Sequence, residues 1–370
     1  MTSYGLPETH RALVLSSTQK DIDAKVQTIP VPSATPGSAV VKVILASVLP
    51  YAREVYDGTR QYPMPLPYVM GSSAIARIVA VGPDAVKLAP GQLVLVDSYV
   101  RSRDDPDVSF LAGYTEGSKR LMRGEWRDWT YAEYAKVPLE NCFPLDEERL
   151  LGPIEKGGLG YSVENLTQIP RLLVPNGGLK DINLQAGETI IIAPATGMFG
   201  GRAVDVALAM GAKAIAVGRN AKTLEKLASM NDRVKTVQLT MHVETDVRAL
   251  QKFGPIDAFQ DWSPPEAGVS THIRSCIQAL RVGGRASLMG GITGDISINY
   301  ASIMFRNIQI RGNFMYSKKD IESLIKMVLA GVLKLGKENL VESFPLERWL
   351  DAFKAAEEST SLGKQILLAP

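Results

Sequence analysis

Short apolar runs separated by proline and glycine dominate residues 11–100. The clearest of them read AVVKVILAS, SAIARIVAVG and GQLVLVDSY. Short runs rich in valine and isoleucine and bounded by turn residues are typical of β-strands. Many such strands in succession predict a barrel-like β-domain near the start of the chain.

From Thr189 onward the pattern changes to strands that alternate with helices. The apolar segments read TIIIA, AIAVG, DRVKTVQL, PIDAFQDW, GRASLMGG and NIQIRGNFMY. Helical patterns accompany them, notably THIRSCIQAL and, after the last strand, the amphipathic DIESLIKMVLAGVLKL. This alternation predicts an α/β protein in which a doubly wound parallel sheet is covered by helices on both faces.

A glycine-containing turn joins the first of these strands to its helix. It reads Ala195-x-Gly197-x-x-Gly200, a variant of the G-x-G-x-x-G pattern whose glycines allow a tight turn and close approach of the backbone to a pyrophosphate. A helix beginning near Gly201 would offer its free N–H groups to that phosphate. We therefore predict a dinucleotide site at Ala195, Thr196, Gly197, Met198, Phe199 and Gly200.

The end of the second strand predicts which dinucleotide binds. Enzymes that prefer NAD usually carry an acidic residue there, about 20 residues past the turn, which bonds the ribose 2′-hydroxyl. This chain has a small residue followed by basic and polar ones, namely Gly218, Arg219, Asn220 and Lys222. Because an arginine can bind a 2′-phosphate through two hydrogen bonds, we predict NADPH as the cofactor.

Composition excludes several other classes of protein. A chain of 370 residues favours two domains. The 41 basic and 39 acidic residues nearly balance, so charge gives no reason to expect binding to nucleic acid or to a membrane surface. No apolar run approaches the ~20 residues that span a bilayer, and the N-terminus lacks a secretory signal. Two cysteines without metal-site spacing, Cys142 and Cys276, favour a reducing compartment, and we expect a cytoplasmic protein.

Residues 101–130 interrupt the strand pattern with charge and glycine, and they predict a long loop or lobe. The lobe contains Trp126 and Trp129. These tryptophans could cap a substrate cleft, contact another subunit or form a small core of their own.

Several motifs in this order make the chain resemble the medium-chain dehydrogenase/reductase superfamily, the group of zinc alcohol dehydrogenases and quinone oxidoreductases. They are the segment GSSAIARIVAVGPDAVKLAPGQLV that begins at Gly71, the cofactor turn, ALRVGGRASLMGG and RNIQIRGNF. The resemblance implies a GroES-like β-barrel catalytic domain at 1–165 and 316–370, and a Rossmann NADP(H)-binding domain at 166–315. It also implies an active site in a cleft and a homodimer, commonly joined through the Rossmann sheets.

The departures from the superfamily's pattern concern zinc. Where zinc members have a cysteine ligand, this chain reads Ser47-Val48-Leu49-Pro50-Tyr51, and where they have His-Glu it has Ser72-Ser73. The lobe at 101–130, which aligns with the structural-zinc loop, contains no cysteine. The histidines lie far from these motifs in sequence and are interpreted as surface or helix residues: His10, His242 and His272. Since zinc sites use nitrogen, sulfur or carboxylate ligands, we predict no metal.

Losing zinc changes which chemistry is plausible. Zinc supplies several kcal/mol toward stabilising an alkoxide, whereas a conjugated enone or quinone already delocalises the charge that hydride addition creates. Hydrogen-bond donors near the former metal position are Tyr51, Tyr56, Tyr62, Ser72 and Ser73. We take Tyr51, Ser72 and Tyr56 as the candidate catalytic residues. Pro50 is similar to the Asn-Pro motif of zinc-less quinone and enoyl reductases, with Leu49 in place of the asparagine.

Further cofactor-binding candidates lie at the ends of later strands. Asp261, Trp262 and Ser263 end a strand at the carboxyl edge, where ligands bind in open α/β sheets, and we include Ser263 in the site. The resemblance adds three positions where the backbone or an amide would approach the nicotinamide: Gly290, Gly291 and Asn313.

The leading hypothesis is therefore a zinc-independent, NADPH-dependent reductase of an activated double bond in a small organic substrate. One alternative is a zinc-free carbonyl or imine reductase or alcohol dehydrogenase, in which the same donors polarise C=O or C=N. Another is a non-catalytic NADPH-binding protein that kept the Rossmann site without the chemistry.

Overall fold

The chain divides into two units in the computed structural model, which describes residues 5–18, 22–114, 120–336, 340–359 and 364–370. The first unit comprises Met1–Pro170 and Leu335–Pro370, and the second comprises Arg171–Lys334. Residues 115–119 of the predicted lobe lie outside the described residues.

The first unit begins as a succession of short strands, as the apolar runs predict. The strands are β1 (Thr9–Ser17), β2 (Asp23–Pro30), β3 (Ser38–Val48), β4 (Tyr68–Val69), β5 (Ala74–Val81), β6 (Leu93–Val96), β7 (Tyr99–Arg101), β8 (Ser109–Leu111), β9 (Tyr134–Pro138) and β10 (Cys142–Pro144). Short helices punctuate them: α1 (Ala52–Tyr56), α2 (Glu147–Leu151) and α3 (Val163–Leu166). A π-helical turn spans Leu121–Glu125, and 3₁₀ turns span Leu139–Asn141 and Ile154–Lys156.

The helix α4 (Ile169–Asp181) leads into the second unit, where strands and helices alternate. The elements are β11 (Thr189–Ala193), α5 (Met198–Ala209), β12 (Lys213–Gly218), α6 (Ala221–Met230), β13 (Val234–Gln238), α7 (Val243–Gln251), β14 (Ala258–Asp261), α8 (His272–Ala279), β15 (Arg285–Leu288), α9 (Tyr300–Phe305), β16 (Gln309–Gly312) and α10 (Lys318–Leu329), with a 3₁₀ turn at Pro265–Val269. None of the described helices is long and apolar enough to cross a membrane.

The six strands β11–β16 form one parallel sheet in the order β13-β12-β11-β14-β15-β16. This is the strand order of a dinucleotide-binding fold. The strands are added outward in one direction from β11 to β13 and in the opposite direction from β14 to β16, so the order switches between β11 and β14. Both central strands are buried along almost their whole length; β11 (TIIIA) is accordingly an apolar run, whereas β14 (AFQD) ends in two buried polar residues, Gln260 and Asp261. The predicted parallel sheet is confirmed.

The second unit extends further along the chain than the expected boundary at 315/316. Its last helix, α10, is held against α4: the Asn176 side-chain amide donates to the Asp320 carbonyl at 2.9 Å. Just before α10, a Cβ on Gly177 would lie 2.3 Å from the Met315 carbonyl oxygen, so the two segments are in close contact. Since α10 packs within the second unit, the chain returns to the first unit at Leu335.

After that return the chain completes the first unit with β17 (Leu340–Pro345), α11 (Trp349–Glu357) and β18 (Lys364–Ala369), and a 3₁₀ turn at Leu346–Arg348. Strand β18 pairs antiparallel with β3 and parallel with β17, which adds both strands to the sheet β10-β6-β5-β3. Strand β9 also pairs with β3. A second sheet has the order β2-β1-β4, and β7 and β8 form a hairpin.

The largest apolar core among the described residues of the first unit includes the two tryptophans of the lobe. Trp126 is 7% exposed and Trp129 is 1% exposed, and both pack with the residues of the barrel strands. Both tryptophans therefore belong to the main core of the first unit and do not form a separate small core of the lobe.

Candidate functional site

The glycine turn between β11 and α5 leaves backbone donors free at the carboxyl edge of the sheet. Gly197 is extended and caps the helix, which begins at Met198, three residues before the expected start. The Gly201 amide makes the first helical hydrogen bond, to the Gly197 carbonyl at 3.0 Å. The amides of Met198, Phe199 and Gly200 therefore have no partner within the helix, and together they suit a phosphate.

Two glycines at this turn stand where no side chain fits. A Cβ on Gly200 would lie 2.1 Å from the Pro194 carbonyl oxygen, and one on Gly218 would lie 2.6 Å from Cγ2 of Thr196. A Cβ on Gly197 would meet nothing within 4 Å, so the space in front of the turn is open. Tight packing behind and open space in front are what a bound pyrophosphate requires, and the residues present fit a nicotinamide dinucleotide.

An aromatic contact joins the turn to the next strand. The rings of Phe199 and Trp262 stack with their centroids 5.7 Å apart. The Trp262 indole N–H donates to the Gln260 side-chain oxygen at 3.3 Å, and the Trp262 amide donates to the Ala193 carbonyl at 2.8 Å. The ends of β11 and β14 are thereby held together beside the turn.

The end of β12 is basic and exposed. Gly218 is buried, whereas the side chains that follow it point to solvent. Asn220 caps α6 by accepting from the Thr223 amide at 3.1 Å. Within the described parts of the chain the Arg219 guanidinium has no hydrogen bond or ion pair of its own; only its carbonyl is engaged, by Gln238 at 3.1 Å. Arg219 is thus available to a phosphate, and Lys222 is exposed on the next turn.

The loops after β14 and β15 are fastened to each other at the carboxyl edge. The buried Asp261 carboxylate accepts from the Ser263 amide at 3.1 Å and from the Ser263 hydroxyl on one oxygen, and from the Gly290 amide at 3.1 Å on the other. The Gly291 amide donates to the Ser263 carbonyl at 2.7 Å. A Cβ on Gly290 would lie 2.4 Å from the carboxylate, so the glycine is required here. Ser263, Gly290 and Gly291 therefore lie together, as the sequence predicts for one site.

Asn313 lies at the end of the neighbouring strand β16. Its amide nitrogen donates to the Leu288 carbonyl at 3.1 Å, and its side-chain amide donates to the Met315 carbonyl at 2.8 Å. The Asn313 side chain thus stabilises the loop that follows β16.

The interpretation of the histidines as surface or helix residues needs correction for His10. His242 is exposed before α7 and His272 lies in a helix, as expected, although His272 is only 3% exposed. His10, in contrast, lies on a strand and is 4% exposed. His10 lies on an inward-facing position of β1, its ring accepts a hydrogen bond from the Tyr134 amide at 3.2 Å, and burial lowers its pKa. His272 begins α8 and hydrogen-bonds Ser263, which is one of the predicted cofactor-binding residues, although it is far from the glycine turn in sequence.

In the first unit, Ser72 is held by its backbone. Its amide donates to the Thr130 hydroxyl at 3.0 Å, and its carbonyl accepts from that hydroxyl at 2.5 Å and from the Trp129 indole at 3.1 Å. Ser47 stands near the end of β3, and its carbonyl accepts from the Tyr131 phenol at 3.0 Å. The Ser47 hydroxyl is buried and makes no hydrogen bond to the described residues.

Tyr56 is placed as a packing residue. It is fully buried, its ring stacks on Phe353 at 5.5 Å, and its hydroxyl donates toward the carbonyls of Gly113 at 2.9 Å and Gly71 at 3.3 Å. Burial raises the pKa of Tyr56 well above its usual value. A phenol has one proton, and here backbone carbonyls already accept it.

Tyr51 is placed differently, immediately before α1 and only partly buried. The Arg60 guanidinium lies 4.2 Å from the centre of its ring. This cation–π contact fixes the ring and puts a positive charge beside it.

Tyr114 is a residue that the sequence analysis missed. It follows Gly113, whose φ is +79° and whose Cβ would lie 2.3 Å from the Gly71 carbonyl oxygen. This close approach places Tyr114 beside Ser72. Burial raises the pKa of Tyr114, against the effect of the nearby Tyr131 and Ser72 side chains. Even so, its buried hydroxyl makes no hydrogen bond of ordinary geometry to the described residues.

Two family models match the chain. Residues 35–147 match the alcohol dehydrogenase GroES-like domain, and residues 199–330 match the zinc-binding dehydrogenase domain. Together these matches cover more than half of the chain. The protein belongs to the medium-chain dehydrogenase/reductase superfamily. It is accordingly an oxidoreductase with a GroES-like domain, a Rossmann-type sheet and a nicotinamide cofactor.

Individual members of the superfamily are similar at low identity. An L-threonine 3-dehydrogenase of Ruegeria pomeroyi is 25% identical over 91% of this chain and 94% of its own. An acryloyl-coenzyme A reductase of Metallosphaera sedula is 24% identical over 82% of this chain and 84% of its own. The solved structure of the alcohol dehydrogenase TADH from Thermus sp. ATN1 has a TM-score of 0.77 at 21% identity, covering 97% of this chain and 99% of that one.

The residues present do not fit the zinc that many members of the superfamily bind. Among the described residues no group of three or more His, Cys, Asp or Glu side chains could hold a metal ion. The two segments predicted to replace the zinc ligands, Ser47-Val48-Leu49-Pro50-Tyr51 and Ser72-Ser73, contain no cysteine, histidine or carboxylate. Both cysteines are buried free thiols, and burial raises the pKa of Cys142 to about 12. Since zinc binds thiolate, imidazole or carboxylate, this donor set does not suit it.

Proposed function

We propose that this protein is a zinc-independent, NADPH-dependent reductase that adds hydride to an activated carbon–carbon double bond or a quinone. The observation that carries the proposal is the hydroxyl-rich site in place of zinc ligands. Ser72 lies beside the Tyr114 hydroxyl, which makes no hydrogen bond within the part of the chain that the structure describes, and Tyr51 is next to Tyr114. Neutral hydroxyls suit a substrate whose own conjugation spreads the developing charge.

NADPH supplies the hydride when it is bound. The chain's own residues then have three tasks, which are to hold the cofactor, to donate hydrogen bonds to the oxygen that gains charge, and to deliver a proton. Ser72 and Tyr114 are proposed as the hydrogen-bond donors, because their side chains lie next to each other and the buried Tyr114 hydroxyl makes no hydrogen bond to the described residues that would compete with a substrate oxygen. Tyr51 is proposed as the proton donor, because its ring is held by Arg60 and its side chain is not fully enclosed.

The preference for NADPH is proposed from Arg219. Its guanidinium is exposed at the end of β12 and has no partner among the described residues, and no carboxylate stands beside it to bond a ribose 2′-hydroxyl. A guanidinium binds phosphate oxygens in pairs, so a 2′-phosphate is the group that this position favours.

The relatives support two substrate classes. The name acryloyl-coenzyme A reductase denotes action on a conjugated acyl thioester, which favours double-bond reduction. The name L-threonine 3-dehydrogenase denotes oxidation of an alcohol, which favours the second candidate, a zinc-free carbonyl reductase or alcohol dehydrogenase. A purely cofactor-binding role is the third. The two buried free cysteines support a reducing, cytoplasmic compartment.

The decisive experiment measures NADPH oxidation by purified protein whose metal content has been determined. An enone, the corresponding saturated ketone and a quinone are each tested as the hydride acceptor. We expect turnover of the enone or quinone only, unchanged by a strong zinc chelator. Turnover of the saturated ketone would favour the carbonyl reductase instead. NADPH binding without turnover of any acceptor would favour the non-catalytic role, and inactivation by the chelator would contradict zinc independence.

We also propose a homodimer joined through the outer edge of the parallel sheet. Strand β16 ends the sheet, so one side of its backbone is unpaired within the second unit. Large apolar side chains surround that edge, including Tyr300, Phe305 and Phe314, which are 79%, 76% and 70% exposed. A second copy related by a two-fold axis would pair β16 with β16 and cover both patches at once.

The proposed dimer can be tested by measuring the molar mass of the protein by light scattering as it elutes from a size-exclusion column. The wild type should elute with twice the mass of one chain, and the double variant Tyr300→Glu/Phe305→Glu should elute as a monomer, because burying two carboxylates in an apolar interface is costly. Val86→Glu is the matched control, since Val86 is fully exposed on the first unit. A dimer that persists in the double variant, or a monomeric wild type, would contradict this interface.

A further inference from the structure

Four side chains in the second unit, those of Asp261, Ser263, His272 and Ser270, are linked one to the next by hydrogen bonds. The hydroxyl of Ser263 contacts a carboxylate oxygen of Asp261 on one side and Nε2 of His272 on the other, the latter at 2.8 Å. The other ring nitrogen, Nδ1, contacts the Ser270 hydroxyl at 2.6 Å. Asp261, Ser263 and His272 are all at most 3% exposed. These side chains span the end of β14 and the start of α8.

With Asp261 as the carboxylate and His272 as the neutral imidazole, these contacts allow one arrangement of the hydrogens. A carboxylate only accepts, so the Ser263 hydroxyl must donate to it and can then only accept from His272. Nε2 of the imidazole therefore carries the hydrogen. Nδ1 is left as the acceptor of the Ser270 hydroxyl. The order of the hydrogen-bond partners thus assigns the Nε2–H tautomer to the neutral form of His272.

The Asp261 carboxylate connects these side chains to the loop after β15, which contains the predicted cofactor-binding residues Gly290 and Gly291. Its second oxygen accepts from the Gly290 amide at 3.1 Å, and the Gly291 amide is bound to the Ser263 carbonyl at 2.7 Å. The two glycines contribute no side chains, so these contacts with the end of β14 fix the course of the loop after β15. A bond that orients Ser263 therefore also orients the loop.

We infer that His272 is a positioning residue for the nicotinamide half of the cofactor site, acting through Ser263 and Asp261 on Gly290. This inference rests on the proposed use of Gly290 and Gly291 in cofactor binding. It goes beyond that proposal in giving His272 a role in cofactor binding although it lies behind the loop. A small displacement of groups that hold a reactant is enough to lower rate and affinity substantially.

Three substitutions of His272 separate positioning from packing. The glutamine amide in His272→Gln can take the place of Nε2 and donate to Ser263, whereas the asparagine amide in His272→Asn can take the place of Nδ1 and reach only Ser270. His272→Leu fills the space without either bond. We expect NADPH affinity, measured by the fluorescence of the cofactor, to be within about twofold of wild type in the glutamine variant. In the other two it should fall by about tenfold or more.

The same proteins give a readout that is independent of the cofactor. The chain has three histidines, so ¹⁵N-histidine labelling yields three imidazoles, and the spectrum of the glutamine variant identifies the one that belongs to His272. We expect it to be the Nε2–H tautomer at mildly alkaline pH.

Affinity for NADPH that is equal in the wild type and all three variants would overturn the inference and leave the proposed function standing, as would the Nδ1–H tautomer. A wild type that binds neither NADPH nor NADH would overturn both. Equal loss of affinity in the asparagine and glutamine variants would also overturn the inference, because it would mean that keeping the hydrogen bond to Ser263 does not preserve NADPH affinity. Melting temperatures of the variants check that each one is folded.

Discussion

Replacing Arg219 by aspartate is expected to weaken NADPH binding by about 100-fold and to leave NADH binding unchanged or slightly tighter. Loss of a charge-assisted contact with the 2′-phosphate, together with repulsion by the new carboxylate, accounts for ~3 kcal/mol, which is about 100-fold in affinity. NADH lacks that phosphate. An aspartate at this position can instead accept from the ribose 2′-hydroxyl.

The measurement is the dissociation constant of each cofactor, obtained by fluorescence titration. Lys226→Asp is the matched control, because Lys226 is an exposed lysine further along α6 and makes the same change of charge. It should weaken NADPH binding by much less. Equal weakening of NADPH and NADH by Arg219→Asp would sink the assignment of the 2′-phosphate to this residue.

Replacing Tyr51 by phenylalanine is expected to lower kcat by about 100-fold without a change in melting temperature. General acid catalysis contributes about 10²–10⁴-fold, and water can replace a lost proton donor in part, so the lower end of that range applies. The ring and its contact with the Arg60 guanidinium at 4.2 Å would remain. Turnover and thermal unfolding of the same preparations provide the measurement, and full turnover in Tyr51→Phe would exclude the proton-donor role.

Two neighbouring phenols serve as contrasting controls. Tyr56→Phe should lower stability by about 1–3 kcal/mol with a small effect on kcat, because it removes the buried phenol that donates to the carbonyls of Gly71 and Gly113, and only the Gly113 carbonyl keeps another phenol donor, from Tyr68. Tyr114→Phe should lower kcat/KM while leaving stability equal or higher, because it removes a buried hydroxyl that has no partner among the described residues. Loss of stability in Tyr114→Phe would show instead that this hydroxyl belongs to the packing.

The parallel sheet could be predicted from sequence because its signals are local. A buried strand such as β11 must be apolar along its length, and the turn after it must have glycine where a Cβ would strike the Pro194 carbonyl at 2.1 Å. Both requirements fall within a dozen consecutive residues. The prediction that zinc does not bind rests on local signals too, because the segments Ser47-Val48-Leu49-Pro50-Tyr51 and Ser72-Ser73 fall in contiguous motifs of the superfamily.

The rest of the site depends on pairs that are distant in sequence. Tyr114 meets Gly71 and Ser72 only because Gly113 lets the two backbones touch, and nothing in the charged lobe around it indicates that contact. The Tyr56 phenol is adjacent to the former metal position in sequence, yet the fold directs its proton to backbone carbonyls. Whether a hydroxyl is available or already bonded is a property of packing.

The sequence by itself determined the strand and helix pattern, the dinucleotide turn, the basic end of β12 and the superfamily, since each rests on neighbouring residues whose spacing reflects local geometry. Only the tertiary structure decided that α10 belongs to the second unit, that His10 and His272 are buried, and that His272 reaches Gly290 through Ser263 and Asp261. Those features arise where segments that are distant in the sequence pack together, and contacts between such segments produce no periodic pattern in the sequence.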